Sequence, residues 1–126
     1  MRTLIIVIII ILLIIVGWFF VYTVIENNTN AFIHSLNIIA ENVETKNWQD
    51  ASVNFINVKE KWMKERKFMT IFLDHHEVDN IDLAIARTEK YIKGQDLALS
   101  LAEIDVLKKL FSIVKENESV TLENIL

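Results

Sequence analysis

The sequence predicts an all-α protein in which an N-terminal transmembrane helix precedes a small antiparallel bundle of about four helices. Three observations support this prediction. A 23-residue stretch between Arg2 and Glu26 carries no charge, four later segments repeat apolar residues at helical spacing, and the 126 residues include no proline. We therefore divide the chain into an anchor, residues 1–25, and a helical body, residues 26–126.

The anchor is long enough to cross a bilayer. Residues 4–25 are predominantly apolar, and a rise of about 1.5 Å per residue gives roughly 33 Å, against a hydrocarbon core of about 30 Å. A cleaved signal peptide is the alternative, but its apolar region usually spans only about 7 to 15 residues. The best cleavage candidate here is the weak Thr29-Asn30-Ala31. We therefore expect the anchor to be retained.

The distribution of positive charge predicts the orientation in the cell membrane. Arg2 and the terminal amine precede the span, whereas Glu26 follows it and the next basic residue is Lys46. Because basic residues beside a span tend to stay in the cytoplasm, we expect a cytoplasmic N-terminus and an extracytoplasmic body. Trp18 and Tyr22 suit the outer interface, where aromatic side chains are enriched.

The composition of the body excludes several classes of function. It carries 17 acidic residues and 12 basic ones, the 13 of the chain less Arg2. A net charge of −5 gives no electrostatic basis for binding nucleic acid. Cysteine is absent, which excludes disulfides and thiolate metal sites. The sequence contains no glycine-rich phosphate loop and no nucleophile elbow. We expect a non-enzymatic protein without a cofactor, and we assign no catalytic, cofactor-binding or metal residue.

Four apolar stripes predict the helices of the bundle, because each stripe would otherwise leave its apolar face in water. Trp48, Phe55 and Trp62 share the second stripe, and this spacing favours core packing over a ligand-stacking box. The stripes are Phe32, Leu36, Ile39 and Val43; Trp48, Ala51, Phe55, Val58 and Trp62; Val78, Ile81, Ile85, Thr88 and Ile92; and Leu97, Leu101, Ile104, Leu107, Phe111 and Val114.

Capping residues divide the stripes in the same way. Asn47, Asp74 and Asp96 are predicted N-caps, and Glu77 is predicted to complete a capping box with Asp74. Lys93 followed by Gly94 predicts a helix end. The segment 27–30, Asn-Asn-Thr-Asn, leaves two options open. It either breaks the chain between anchor and bundle or continues as one long helix, since its residues are poor helix formers but do not forbid a helix.

A basic stretch is expected to return to the membrane at the end of the second helix, because that helix is longer than the first helix of the bundle. The stretch contains Lys59, Lys61, Lys64, Arg66 and Lys67. Near an anionic surface each would contribute about 1 kcal/mol of attraction, partly cancelled by Glu60 and Glu65. The alternative is a solvated face with pairs such as Glu60 to Lys64. The apolar tail, residues 120–126, also returns towards the bilayer, where we expect packing under the bundle rather than docking on a neighbour.

An acidic and histidine cluster is a candidate for partner or ion contact. It comprises six residues, of which His75, Glu77, Asp79 and Asp82 are the candidate contacts and Asp74 and His76 are the others. On a helix, His75, Asp79 and Asp82 share one side, and an imidazole with two carboxylates suits a divalent ion. The segment offers no fourth ligand, so a partner-contacting or pH-sensing cluster is the better hypothesis than a metal site. Plain surface polarity is the simplest interpretation.

Two motifs resemble a known family. They are Asp74-His75-His76-Glu77-Val78-Asp79-Asn80-Ile81 and the closing Leu122-Glu123-Asn124-Ile125-Leu126. They resemble a domain-of-unknown-function family of small, single-span, membrane-anchored helical proteins, most of them from clostridia and related Gram-positive spore-formers. The resemblance implies no activity, but it implies a membrane partner, a YetF-like multi-pass protein encoded beside family members. His76 and the bulky residues 68–73 depart from the family pattern.

From these features we expect an accessory or interaction subunit of a bacterial envelope membrane-protein complex. The lipid bilayer and a multi-pass membrane protein are the expected partners. The alternative is an extracytoplasmic four-helix domain that senses a ligand or an ion and acts through a partner. A pilin-like subunit fits less well, because the span lacks the early glutamate and the processing sequence of such proteins.

Overall fold

The computed structural model describes the backbone of residues 1–125 and the side chains of residues 1–117. Within residues 1–125 the chain forms four α-helices and no strand, which confirms the all-α prediction. The helices are α1 (Arg2–Glu44), α2 (Trp48–Phe72), α3 (His75–Lys93) and α4 (Leu97–Ile125). The predicted packing of the 120–126 tail falls on side chains outside the described residues.

The bundle is an up-and-down arrangement of four helices joined by short turns. α1 packs against α2 and α4, and α3 packs against the same two helices. Consecutive helices are therefore antiparallel neighbours around one shared core. The predicted anchor is the N-terminal part of α1 and extends beyond the end of this bundle.

Segment 27–30 continues as helix and does not break the chain. The 43 residues of α1 run from the predicted anchor into the bundle without interruption. Ile25, Thr29 and Phe32 are buried on the inner face of this segment. Helix propensity differs among ordinary residues by only about 0.7 kcal/mol, so burial of this face outweighs the poor propensity of asparagine and threonine. The bundle thus begins at the last turn of the apolar run.

The predicted stripes form the core. Three rings meet at its centre: Phe32 stacks on Phe111 with centroids 4.7 Å apart, and Trp62 meets both rings edge-on at 6.2 and 5.8 Å. Trp62 is only 2% exposed, which confirms its place in the core. The fourth stripe is less buried at the end of the bundle that faces away from the predicted anchor, where Leu97 is 37% exposed.

All three predicted N-caps are present. Asn47 accepts a hydrogen bond from the Asp50 amide at 3.3 Å, and Asp74 accepts one from the His76 amide at 3.1 Å. Asp96 likewise caps α4 by accepting from the amide of Leu99 at 3.0 Å. The predicted capping box is not formed among the described residues. Glu77 instead accepts a hydrogen bond from the side-chain amide of Asn117 on α4.

The helix ends that face away from the anchor share one backbone motif. The amide of Asn47 donates to the carbonyl of Asn42 at 2.8 Å, and that of Asp96 donates to Tyr91 at 3.0 Å. These six-residue closures are Schellman motifs, which require one residue in the left-handed conformation. That residue is Lys46 (φ 58°) in the first turn and Gln95 (φ 54°) in the second. α3 ends at Lys93 as predicted, but the left-handed residue is Gln95 rather than the preceding glycine.

Replacing Gln95 by glycine should therefore stabilise the protein. A left-handed residue with a Cβ costs about 1 kcal/mol, which Gln95→Gly removes. Gly94→Ala is the matched control, since Gly94 has φ −76° and an added Cβ would lie 3.5 Å from the Lys90 carbonyl oxygen, an ordinary contact. Thermal unfolding of the full chain in detergent, followed by circular dichroism, measures both changes. This turn geometry would be contradicted if Gly94→Ala lowered the unfolding midpoint and Gln95→Gly failed to raise it.

Candidate functional site

A carboxylate of the predicted contact cluster joins α3 to α2. Asp82 accepts a hydrogen bond from the Trp62 indole nitrogen at 2.7 Å and another from Arg66 Nε at 2.8 Å. Both oxygens of Asp82 are therefore engaged between α2 and α3. This pairing depends on how the two helices face each other, which the spacing along either helix does not reveal.

Two further charge pairs, which the sequence analysis missed, connect neighbouring helices. Lys59 on α2 pairs with Glu89 on α3 at 2.7 Å, and Arg87 on α3 pairs with Glu103 on α4 at 3.0 Å. Lys93 also reaches Glu89, at 3.0 Å. The hydrogen bond from Lys59, reinforced by the one from Lys93, lowers the pKa of Glu89. In the sequence, these ion pairs correspond to residues of opposite charge that flank the apolar stripes of neighbouring helices.

The structure divides the predicted lipid-contacting residues into two groups. Lys59 and Arg66 are held in the ion pairs above, and the Lys61 ammonium lies 4.7 Å from the centre of the Phe32 ring. Lys64 and Lys67 are exposed, and neither pairs with an acidic group among the described residues. Two of the five predicted basic side chains thus stay available to an anionic surface.

The contact cluster also separates. His75, His76 and Asp79 are exposed at the start of α3, whereas Glu77 is partly buried and Asp82 faces α2. Among the described residues no three His, Asp or Glu side chains converge in a way that would hold a metal ion. His75, His76 and Asp79 remain exposed beside the capping residue Asp74, and we call these three residues the histidine group.

This histidine group lies at the anchor end of the bundle. Glu77 contacts Asn117 on α4, and two residues earlier Lys115 contacts Asn30 of α1 at 3.2 Å and Glu26 at 4.0 Å. The start of α3 is therefore level with the first charged residue after the apolar run.

A shallow groove lies between α1 and α2. Its volume is about 210 Å³, below the roughly 300 to 1,000 Å³ typical of small-molecule sites. It is lined by Ser35, Ile38, Asn54, Asn57, Val58 and Lys61. The groove gives weak support to a ligand-sensing function.

One carboxylate in the basic stretch is unfavourably placed. Glu65 is partly buried, and its Oε2 has no hydrogen-bond partner among the described residues. Burial raises the pKa of Glu65, and the charge of Lys61 opposes the rise. The ionised form of Glu65 is therefore less favourable in the folded chain than in the unfolded chain.

Glu65→Gln should accordingly stabilise the protein at neutral pH. The penalty of the ionised carboxylate is present above the raised pKa and vanishes as the pH falls below the unfolded value, near 4.5. Unfolding midpoints of the full chain at about pH 7.5 and about pH 4 should differ from wild type only at the higher pH. Glu60→Gln, at an exposed position on the same helix, is the control. An equal gain for Glu65→Gln at both pH values would disprove the burial effect.

Comparison with known proteins identifies a family. A family model matches residues 19–125, and its description is Domain of unknown function (DUF4363). The match covers the bundle and the last turns of the apolar run. Neither the curated proteins nor the solved structures give a match to this chain.

Proposed function

The chain belongs to this domain-of-unknown-function family, and we propose that it is a non-enzymatic, membrane-anchored accessory or interaction subunit of a bacterial envelope membrane-protein complex. The proposal places the N-terminus in the cytoplasm and the bundle outside it, as the position of Arg2 favours. It also places the protein in clostridia and related spore-formers, as the sequence resemblance implies.

The observation that carries the proposal is the uncovered apolar surface of α1. Every residue from Leu4 to Phe20 is exposed, and the most apolar window of the helix has a mean hydropathy of 3.6 with none of it buried by the bundle. Apolar surface costs about 25 cal/mol per Å² in water, and soluble proteins rarely expose a patch of this size. In the proposed arrangement, lipid or another membrane protein covers this surface.

The position of the histidine group supports a partner within the membrane. His75, His76 and Asp79 are exposed at the height where α1 leaves the apolar run. A multi-pass protein with short loops reaches that height beside the anchor. We therefore propose the YetF-like multi-pass protein as the partner and this group as its contact.

Crosslinking in intact cells tests the proposal. A photoreactive residue at His76 should give one discrete adduct that contains a multi-pass membrane protein. The control places the same photoreactive residue at position 49. Gln49 is exposed in the first turn of α2, at the end of the bundle away from His76, and should give no such adduct. Identical patterns at the two positions, or recovery of the full-length chain from the soluble fraction without detergent, would refute the proposal.

A further inference from the structure

The last turn of α2 presents apolar side chains on two sides. Met69 and Leu73 are buried against the bundle, whereas Ile71 is 73% exposed and Phe72 is 41% exposed. The Phe72 ring also packs on Phe68 with centroids 5.0 Å apart. We call Ile71 and Phe72 the apolar tip.

Helix geometry places this tip at the height of the apolar run. Trp62 contacts Phe32, and from that pair the two antiparallel helices descend by about 1.5 Å per residue. Ile71 lies nine residues after Trp62 on α2, and Thr23 lies nine residues before Phe32 on α1. Each is therefore roughly 14 Å below the ring pair. Phe72 is correspondingly level with Tyr22. The tip thus overlaps in height with the last turn of residues 4–25.

Within the basic stretch, Lys64 and Lys67 have no ion-pair partner among the described residues, and they share a helix stripe with the tip. Lys64, Lys67 and Ile71 are separated by three and four residues, so they lie one above another on the outer face of α2. Lys67 is about 6 Å and Lys64 about 10 Å further from the membrane than Ile71. An apolar end with lysines one and two turns above it suits the boundary between lipid tails and anionic headgroups.

We propose that the apolar tip is a second membrane contact, in which Ile71 and Phe72 insert into the outer interface of the bilayer while Lys64 and Lys67 lie among the headgroups. The occupant of this surface is lipid, because the tip continues the apolar band of α1 at the same height. This proposal rests on the membrane anchoring proposed above. With two contacts, the bundle stands on the membrane in one orientation and holds His75 and His76 at the headgroup level.

Spin-label depth measurements on the full chain test the proposal. The chain has no cysteine, so single replacements give unique labels after reconstitution into vesicles of phosphatidylcholine and phosphatidylglycerol. The three sites are Ile71→Cys in the tip, Val53→Cys near the opposite end of α2, and Ile10→Cys in the anchor; the native side chains are 73%, 53% and 50% exposed. Power saturation then compares collisions with oxygen, which partitions into lipid, and with a water-soluble nickel chelate.

The label at position 71 should show an oxygen-to-nickel accessibility ratio several-fold above that at position 53 and below that at position 10, which lies about 20 Å deeper in the span. A ratio at position 71 equal to that at position 53, with position 10 in lipid, would overturn the tip contact and leave the anchor intact. Protection of position 71 from both reagents would identify a protein covering and also overturn it. Nickel access at position 10 would refute the anchor and the tip together.

Discussion

The helix proposed to cross the membrane is also the first helix of the bundle, and the remaining features depend on this shared element. Burial of Ile25, Thr29 and Phe32 against neighbouring helices keeps α1 helical through a segment of poor helix formers. A rigid connection fixes the height of every other helix end relative to the apolar run. The histidine group at the start of α3 and the tip of α2 are consequently held beside the anchor instead of moving on a linker.

Polar contacts between the helices decide which groups remain available for binding. Trp62 and Arg66 engage both oxygens of Asp82, and Lys59 pairs with Glu89. These contacts fix how α2 faces α3, and they engage the charged groups of three of the predicted interaction residues in pairs within the bundle. Lys64 and Lys67 remain on the opposite side of α2, above the exposed Ile71. The outer face of α2 therefore combines positive charge with an apolar end.

The sequence predicted the features that depend on local spacing. The four stripes, the caps at Asn47 and Asp74 and the end of α3 follow from helical periodicity and from backbone groups at helix ends, so they are legible along the chain. The pairing of Asp82 with Arg66 was not predictable, because it depends on the rotation of α3 against α2. The continuity of α1 was left open for a similar reason. Propensity at positions 27–30 is weak, and the packing that decides it comes from residues distant in sequence.

A distance measurement across that segment tests the central claim most directly. Spin labels at Phe20→Cys and Asn37→Cys lie on either side of it, and a continuous helix separates their backbones by about 26 Å. Pulsed electron paramagnetic resonance on the full chain in bilayers should give one narrow distribution of label-to-label distances near that value. The same pair with Asn28→Pro, which interrupts the helix, should broaden it. A broad distribution without the proline would show that anchor and bundle move independently and would contradict the account.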